Sequence, residues 1–300
     1  MAGSGGASGS AAGAGAGGVA AAGSASGSAG RAEGGAAGGG SPAGGGGAGG
    51  EAGGGAGGTA AGGVATGGRD AGPRVPLTIY LAGDSTVSQY TDTPSPNDQA
   101  GWGQMLHELF DATAKIDNRA VGGRTARRFI DEGTLDKLLT SIQAGDYLFV
   151  QFGTNDSNKS ATYTLNGQTI PYYLDPATDF KTYLRRYIQG ARDKQATAVL
   201  VTPPPRNSAY CTGGNGTGSH AAAMRELGAS ESVAVVDLNQ KAVDYLKAIC
   251  PSPTPEDFFL VKSDGGVDGT HFQENGARKL AGFVAAGVKE ANLPLARYLE

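Results

Sequence analysis

The chain has 300 residues, of which 53 are glycine and 7% are aromatic, and it carries a formal net charge of −4. It contains no block of Lys or Arg and no basic, aromatic-rich stretch, so the composition gives no support for a nucleic-acid partner. It also contains no run of about 18 apolar residues, so we expect no membrane span.

Residues 1–72 are almost entirely Gly, Ala and Ser. Such a tract has no apolar stripe to bury, and ordering it costs much conformational entropy. We therefore predict a disordered Gly/Ala/Ser-rich tether over residues 1–72, the alternative being an extension without function. From residue 73 to residue 300 the composition is that of one globular domain, large enough to bury a single core.

The N-terminal tract and the cysteines bear on location. No signal peptide is visible, because no charged segment followed by an apolar core begins the chain. A Gly/Ala/Ser tract can follow a removed signal or a lipid anchor, so we expect an extracytoplasmic protein, either secreted or tethered to the cell surface. The two cysteines, Cys211 and Cys250, fit either one disulfide in an exported protein or two free buried thiols.

In chain order, apolar stretches rich in β-branched residues predict buried strands over residues 77–82, 147–152, 197–201 and 233–236, with a weaker strand near 115–117. Apolar stripes predict helices over residues 105–110, 180–188 and 274–288. Strands that alternate with helices predict an α/β fold with a parallel sheet covered on both faces. Residues 158–177 are predicted to be a long irregular excursion, typical of a loop that shapes a substrate groove.

Four short polar motifs follow one another along the predicted domain. They are Gly83-Asp84-Ser85, Gly122-Gly123-Arg124, Gly153-Thr154-Asn155-Asp156 and Asp268-Gly269-Thr270-His271. Ser85 and Asn155 each follow a predicted strand, so a parallel sheet would bring both to the rim at its carboxyl ends, where ligands collect. Each motif alone is a common turn sequence, but together they can assemble a serine esterase.

His271 is the best candidate for the base that a serine nucleophile needs, because the chain has only three histidines. Asp268, three residues earlier, is placed to accept the imidazole Nδ1 hydrogen and leave Nε2 facing Ser85. The alternative interpretation is a Gly-containing turn that Asp268 closes, before a helix that His271 caps. We expect His220 to lie in a solvated loop.

Acyl transfer also needs hydrogen-bond donors for the developing oxyanion. The backbone N–H of Ser85, the backbone N–H of Gly123 and the side-chain amide of Asn155 are the three candidates. Glycine lets its backbone approach a substrate closely, and asparagine is a neutral donor that does not compete for the serine proton. Taken singly, Gly123 and Asn155 are ordinary turn residues, and only the joint pattern favours a site.

The same motifs carry a family resemblance. Together with Leu-Ala-Gly-Asp-Ser-Thr-Val at residues 81–87, Gly101-Trp102-Gly103 and Asn118-Arg119-Ala120, they resemble the conserved blocks of the SGNH (GDSL-like) hydrolases. Within that superfamily the motifs are most similar to those of the rhamnogalacturonan acetylesterase family. The likeness runs from about residue 77 to about residue 290, so it covers the predicted domain but not the tether.

The resemblance implies a flavodoxin-like fold for an SGNH hydrolase domain over residues 73–300. This fold is a three-layer α/β/α sandwich with a parallel sheet of about five strands. The resemblance also implies a serine esterase that needs no metal and no cofactor. Its expected partner is an acetylated plant cell-wall polysaccharide, most specifically acetylated rhamnogalacturonan, from which it would remove acetyl groups during pectin degradation.

The resemblance also assigns roles to residues. It implies a triad of Ser85, His271 and Asp268, and an oxyanion hole of Ser85, Gly123 and Asn155. Gly123 is preferred to Gly122 because the family's glycine directly precedes the arginine. Thr154 stands where many relatives carry His, a departure that bears on the substrate rather than on the chemistry. We further expect substrate contacts from Arg124, Tyr163, Tyr172 and Tyr173, the tyrosines as platforms for sugar rings.

Two other functions fit parts of the pattern. The same constellation would serve an SGNH carboxylester hydrolase that acts on xylan, lipid or thioester substrates, and a broad apolar groove would mark a lipid enzyme. An inactive carbohydrate-binding module with a tether for reach is the second alternative, although a binding module needs no nucleophile, base and oxyanion donors. The sequence leaves the oligomeric state open.

Overall fold

The computed structural model describes residues 73–90, 98–251 and 258–300. The predicted tether, residues 1–72, lies outside the described residues, and the division of the chain at residue 72 stays a prediction. No helix in the described ranges is both long and apolar enough to span a lipid bilayer.

Parallel strands form the centre of the fold. The strands of the described residues are β1 (Leu77–Gly83), β2 (Gln99–Ala100), β3 (Ala114–Asn118), β4 (Tyr147–Gln151), β5 (Thr162–Leu165), β6 (Gln168–Pro171), β7 (Thr197–Val201), β8 (Ala234–Val236), β9 (Phe259–Val261) and β10 (Val267–Gln273). Five of them form one sheet in the order β3-β1-β4-β7-β8, and every pairing in it is parallel. The predicted parallel sheet of about five strands is confirmed.

Helices cover both faces of this sheet. They are α1 (Trp102–Met105), α2 (Ala126–Asp131), α3 (Thr134–Leu139), α4 (Asp179–Asp193), α5 (Gly218–Glu231), α6 (Leu238–Ala248) and α7 (Glu274–Glu290), with short 3₁₀ helices at Leu106–Leu109, Asn207–Ala209 and Pro294–Tyr298. In β1, Ile79 and Leu81 pack with α1, α6 and α7, whereas Tyr80 and Ala82 pack with α2 to α5. Alternate residues of one apolar strand therefore enter two cores. The result is the predicted three-layer α/β/α sandwich.

A second, antiparallel sheet carries the last of the four motifs. β10 pairs with β2 on one side and with β9 on the other. Phe272 of β10 is buried and packs against Phe258 and Phe259. This aromatic contact anchors the strand that bears Asp268 and His271 to the core.

Several elements differ from the sequence-based expectation. The predicted helix over residues 105–110 is wrong in its extent, because α1 ends at Met105 and a 3₁₀ helix continues to Leu109. The excursion over residues 158–177 is not wholly irregular, because β5 and β6 form an antiparallel hairpin within it. The weaker strand near residues 115–117 is β3, and the predicted strand over 197–201 is β7.

Cys211 and Cys250 form a disulfide with their Cα atoms 5.1 Å apart. It joins the loop after β7 to the end of α6. Tyr210 supports the same junction, since its hydroxyl donates to the carbonyl of Pro251 at 2.6 Å. Of the two states that the sequence left open for these cysteines, the structure has the disulfide.

Candidate active site

Ser85 lies on a tight turn directly after β1. Val87 and Ser88 each donate their N–H to the carbonyl of Asp84 at 3.1 Å, which closes the turn. Gly83 permits this geometry, since a Cβ atom there would lie 2.5 Å from Cγ2 of Val87. The turn leaves Ser85 half-buried at the carboxyl end of a central strand.

A buried polar network supports this turn. Asp84 is fully buried, and its Oδ1 accepts hydrogen bonds from the N–H of Thr86 at 2.9 Å and from the Thr86 hydroxyl at 2.7 Å. Gln151, at the end of β4, donates from Nε2 to Oδ2 of Asp84 at 3.4 Å and accepts from Nε1 of Trp102 at 2.9 Å. Burial raises the pKa of Asp84, against the lowering effect of the Thr86 hydrogen bonds. The network joins β1, β4 and α1 next to Ser85.

His271 and Asp268 lie where the motif predicts a base and its orienting carboxylate. Nε2 of His271 is 3.1 Å from Oγ of Ser85, and Nδ1 of His271 is 3.2 Å from Oδ1 of Asp268. Both distances are within hydrogen-bonding range. When Nδ1 donates to the carboxylate, Nε2 is the nitrogen that faces the serine as an acceptor. The structure thus brings the three residues of the predicted triad together.

Asp268 also organises the backbone of its own segment. Its Oδ1 accepts the N–H groups of Thr270 and His271, each at 2.7 Å. Burial acts to raise the pKa of Asp268, but these two hydrogen bonds and the neighbouring imidazole outweigh it, so the pKa lies below its ordinary value. The alternative of a turn closed by Asp268 is therefore present as well. A helix cap by His271 is not present, because α7 begins at Glu274 and Gln273 occupies its N-cap position.

The glycine motif lies in the loop between β3 and α2. The N–H of Val121 donates to the carbonyl of Gly83 at 3.0 Å, which places this loop beside the Ser85 turn. Gly123 has a φ of +74°, a left-handed conformation that favours glycine. Gly122 faces the serine, since a Cβ atom on it would lie 3.7 Å from Cβ of Ser85. Among the described residues, no acceptor takes the backbone N–H of Ser85 or of Gly123.

Asn155 is half-buried in the turn that follows β4. Gly153 begins this turn with a φ of +121°, and a Cβ atom on it would lie 2.8 Å from Cγ of Pro203. The side-chain Nδ2 of Asn155 donates to the carbonyl of Arg124 at 3.0 Å. That hydrogen bond uses one amide hydrogen and ties Asn155 to the glycine motif, so the second hydrogen is the one that can serve a ligand.

Asp156 holds the same two loops together from within the core. It is fully buried, its Oδ1 accepts the N–H of Ala126 at 2.8 Å, and its Oδ2 accepts the N–H of Gly153 at 2.9 Å. Burial raises the pKa of Asp156 to about 7, although both backbone hydrogen bonds act to lower it. The motif contains Asp156, but only the three-dimensional structure shows that its carboxylate joins two loops.

Arg124 and Tyr172, both predicted to contact substrate, lie beside the glycine motif. Oη of Tyr172 is 3.8 Å from the position that a Cβ atom would take on Gly123. Nη1 of Arg124 donates to the carbonyl of Gly122 at 2.8 Å, and its Nε pairs with Glu132 at 2.8 Å. Both side chains are half-buried, so a ligand at the glycine motif can reach them.

Tyr173 and Tyr163, the other two residues predicted to contact substrate, differ in the exposure of their rings. Tyr173 is half-buried, with Nζ of Lys159 located 5.1 Å from the centre of its ring, and its contact with substrate stays a prediction. Tyr163 is only 5% exposed and donates its hydroxyl to Asp131 at 2.7 Å. A ring without an open face cannot stack on a sugar, so the prediction for Tyr163 is wrong.

Two further side chains were mispredicted or missed. His220 is buried within α5, with Nε2 3.0 Å from the carbonyl of Leu174, so the prediction of a solvated loop is wrong. The helix begins two residues before it, at Gly218. Arg206, which the motifs do not include, contacts Thr270 and the carbonyl of Thr154. Its position after the carboxyl end of β7 is the same signal that located Ser85.

Fold and site together define a class of protein, and comparison with known families gives the same class. Residues 81–279 match the GDSL-like Lipase/Acylhydrolase family. The chain belongs to this family, as the resemblance of its motifs predicts. It is therefore a carboxylic ester hydrolase of the SGNH superfamily.

Two curated relatives and one solved structure are similar to the chain. The chain is 38% identical over 221 residues to the probable rhamnogalacturonan acetylesterase YesY of Bacillus subtilis (strain 168), with 72% of this chain and 94% of the relative covered. It is 34% identical over 233 residues to the rhamnogalacturonan acetylesterase RhgT of the same organism, with 75% and 94% covered. The crystal structure of the Bacillus subtilis protein YxiM superposes with a TM-score of 0.60 at 30% identity, covering 74% of this chain and 58% of that one.

Proposed function

We propose that this chain is a serine acetylesterase that removes acetyl groups from rhamnogalacturonan and so takes part in pectin degradation. The observation that carries the proposal is the pair of contacts made by His271, 3.1 Å to Oγ of Ser85 and 3.2 Å to Oδ1 of Asp268. The names of two relatives, at 38% and 34% identity, support the choice of substrate.

Ser85 is the nucleophile of the first half-reaction. As its Oγ bonds to the acetyl carbonyl carbon, the Oγ proton moves to Nε2 of His271 and the carbonyl π electrons move onto the oxygen. The ionised Asp268 stabilises the imidazolium that forms. The N–H groups of Ser85 and Gly123 and the amide of Asn155 stabilise the oxyanion, and each such donor is worth about 3 kcal/mol.

Collapse of the tetrahedral intermediate completes the acyl transfer. The bond between the carbonyl carbon and the sugar oxygen breaks, and that oxygen takes the proton from Nε2 of His271. An acetyl group remains on Oγ of Ser85. Water then gives a proton to the same Nε2 and attacks the acetyl carbon, and a second collapse returns the proton to Ser85 and releases acetate. Ester and water thereby yield acetate, a proton and a free sugar hydroxyl.

An extracytoplasmic location is part of the proposal, with the protein either secreted or tethered through residues 1–72. The disulfide between Cys211 and Cys250 supports it, since disulfides persist in oxidising compartments. Fractionation of cells that express the full chain tests the location. Recovery in the medium or at the cell surface is the expected result, and recovery in the cytoplasm with both thiols reduced contradicts it.

The activity is tested by measuring acetate released from acetylated rhamnogalacturonan and, in parallel, from acetylated xylan. The wild type is compared with Ser85→Ala and with Ser230→Ala, a control serine on α5 whose hydroxyl donates to the carbonyl of Leu227. We expect release by the wild type and the control, faster on rhamnogalacturonan, and none by Ser85→Ala. Faster release of acetate from xylan overturns the choice of rhamnogalacturonan as the substrate. Release no higher than that of Ser85→Ala on both polymers overturns the polysaccharide acetylesterase and favours an esterase for lipid or thioester substrates or a carbohydrate-binding module.

A further inference from the structure

One side chain joins the segment that carries His271 to the turn that carries Asn155. Nη1 of Arg206 donates to Oγ1 of Thr270 at 2.6 Å, and Nη2 of Arg206 donates to the carbonyl of Thr154 at 3.0 Å. Thr270 directly precedes His271, and Thr154 directly precedes Asn155. A single guanidinium therefore holds the neighbour of the base and the neighbour of an oxyanion donor.

The backbone that presents Arg206 is stiff and well attached. Three prolines, residues 203–205, precede it, and each has its φ fixed by its ring. The carbonyl of Pro203 accepts from Nδ2 of Asn239 at 2.7 Å, and the carbonyl of Pro204 accepts from the hydroxyl of Thr217 at 3.0 Å. Because this loop is tied to α5 and α6, the guanidinium can hold the two catalytic segments against a fixed support.

The arginine stem is also confined. Gly216 packs directly against it, since a Cβ atom on Gly216 would lie 2.8 Å from Cδ of Arg206 and 3.2 Å from its Nε. A larger residue at position 216 would displace the stem. The side chain is half-buried, so its rotamer is restricted by packing as well as by its hydrogen bonds.

Arg206 makes no salt bridge within residues 73–90, 98–251 and 258–300, whereas Arg124 and Arg128 near the site both pair with Glu132. Its acceptors are neutral: the two threonine oxygens and, at 3.5 Å, the hydroxyl of Ser157. An arginine that only balanced charge would face a carboxylate. The planar guanidinium holds its N–H donors in a fixed arrangement, so it can join two oxygen acceptors at a set separation.

We propose that Arg206 is a positioning residue for the esterase reaction. It holds the His271 segment and the Asn155 turn at the separation that proton transfer and oxyanion stabilisation require. It touches none of the reacting atoms and acts through Thr270 and Thr154. The proposal rests on the proposed function, and it predicts a loss in kcat with little change in KM, because the displaced groups act in the transition state.

The first test compares wild type, Arg206→Gln, Arg206→Lys and Arg185→Gln in the hydrolysis of p-nitrophenyl acetate. Arg185 is a matched control, an exposed arginine on α4 that pairs with Glu231. We expect Arg206→Gln to lower kcat about 10- to 100-fold with KM within about twofold, since a misplacement of about 1 Å can cost about 100-fold. Arg206→Lys should recover part of the loss, and Arg185→Gln should match the wild type. Wild-type kcat in Arg206→Gln overturns the proposal.

A double-mutant cycle separates positioning from general destabilisation. Thr270→Val removes the acceptor hydroxyl at nearly constant volume, and Thr270→Ser keeps it. If Arg206 acts through Thr270, Thr270→Val loses more kcat than Thr270→Ser, and the double variant Arg206→Gln/Thr270→Val loses less than the product of the two single losses. Losses that simply multiply overturn the proposal. Rates are taken per folded protein, with the melting temperature of each variant above the assay temperature.

Failure of this proposal is distinguishable from failure of the proposed function. Hydrolysis that does not depend on Ser85, shown by an active Ser85→Ala variant, removes the esterase mechanism and the role of Arg206 with it. Hydrolysis that depends on Ser85 but not on Arg206 removes the positioning role alone.

Discussion

Oγ of Ser85 and Nε2 of His271 lie 3.1 Å apart although 186 positions of sequence separate the two residues. Ser85 follows β1, a central strand of the parallel sheet, whereas His271 belongs to β10 of the small antiparallel sheet. Their contact therefore depends on how the antiparallel sheet packs against the parallel one. The buried ring of Phe272, directly after His271, is part of that packing.

Removing the side-chain amide of Asn155 should slow the chemical step. Asn155→Ala is expected to lower kcat about 100- to 1,000-fold with little change in KM, because an oxyanion donor acts mainly in the transition state. Steady-state hydrolysis of an acetyl ester measures both constants. Asn158→Ala is the control, since Asn158 lies three residues away and its side chain accepts from Ser160 and Ala161 in an exposed turn. Equal losses in the two variants would show that the segment, not the amide, matters.

The rate should fall toward acid pH because an imidazolium cannot accept the serine proton. The pKa of Asp268 lies below its ordinary value, so this carboxylate stays ionised as the rate falls, and its hydrogen bonds to Thr270 and His271 are lost only at lower pH. Asp268→Asn should lower kcat about 1,000- to 10,000-fold across the profile. The measurement is kcat and kcat/KM from pH 4.5 to pH 9 for both proteins. A flat wild-type profile contradicts the role of His271 as the base.

The buried carboxyl of Asp156 should make stability fall as pH rises. Its pKa increases from an ordinary value of 3.8 to about 7 on folding. Between these values the folded protein holds a proton that the unfolded chain has lost, so the free energy of unfolding decreases with pH, by on the order of 4 kcal/mol across the window. Asp156→Asn removes this contribution and should lose less stability between pH 4 and pH 7 than the wild type.

Melting temperatures at pH 5 and pH 8 measure that difference. Asp175→Asn is the matched control, because the carboxylate of Asp175 also accepts backbone N–H groups, those of Ala177 and Thr178. The control should keep the wild-type dependence on pH, whereas Asp156→Asn should reduce it, leaving the part that the raised pKa of Asp84 contributes. The same decline in all three proteins would assign the dependence to other groups.

The disulfide should contribute strongly to stability. Cys211 and Cys250 are 39 positions apart, and closing a loop of that length is worth about 4 kcal/mol in the chain-entropy account. The double variant Cys211→Ser/Cys250→Ser is therefore expected to unfold at a lower urea concentration. Wild type in the presence of a thiol reductant should shift in the same way, and the variant should not respond to reductant. Identical unfolding midpoints in all of these conditions would contradict the contribution.

Much of the fold follows from local apolar pattern. β1, β4 and β7 are continuous apolar runs because both of their faces are buried, which makes them easy to recognise. The pattern fails where an element is short or polar. β2 has two residues, and β10 contains Asp268, Gly269, Thr270 and His271, so neither has the composition of a buried strand. Their pairing is set by tertiary contacts such as those of Phe272.

The residues of the site also divide into those that the sequence predicts and those that only the structure shows. The motifs contain residue types that are typical of a serine hydrolase. The sequence can therefore predict Ser85, Asn155, Asp268 and His271 as site residues. Burial and distant partners cannot be predicted from such motifs. Tyr163 looks like an exposed aromatic in a loop, yet its ring lies against Arg128 of α2 and Tyr172 and is only 5% exposed. Arg206 carries no motif, and its partners lie 52 and 64 positions away along the chain.

His271, the base, and Asp268, its orienting carboxylate, lie on one short segment. Oδ1 of Asp268 bonds to both the backbone N–H and Nδ1 of His271, so the pair keeps its internal geometry wherever the segment lies. A shift of that segment changes the gap between Nε2 of His271 and Oγ of Ser85 but not the contacts within the pair. Proton transfer from Ser85 then depends on one interatomic spacing, so the pair acts as a preassembled unit that either reaches the serine or does not.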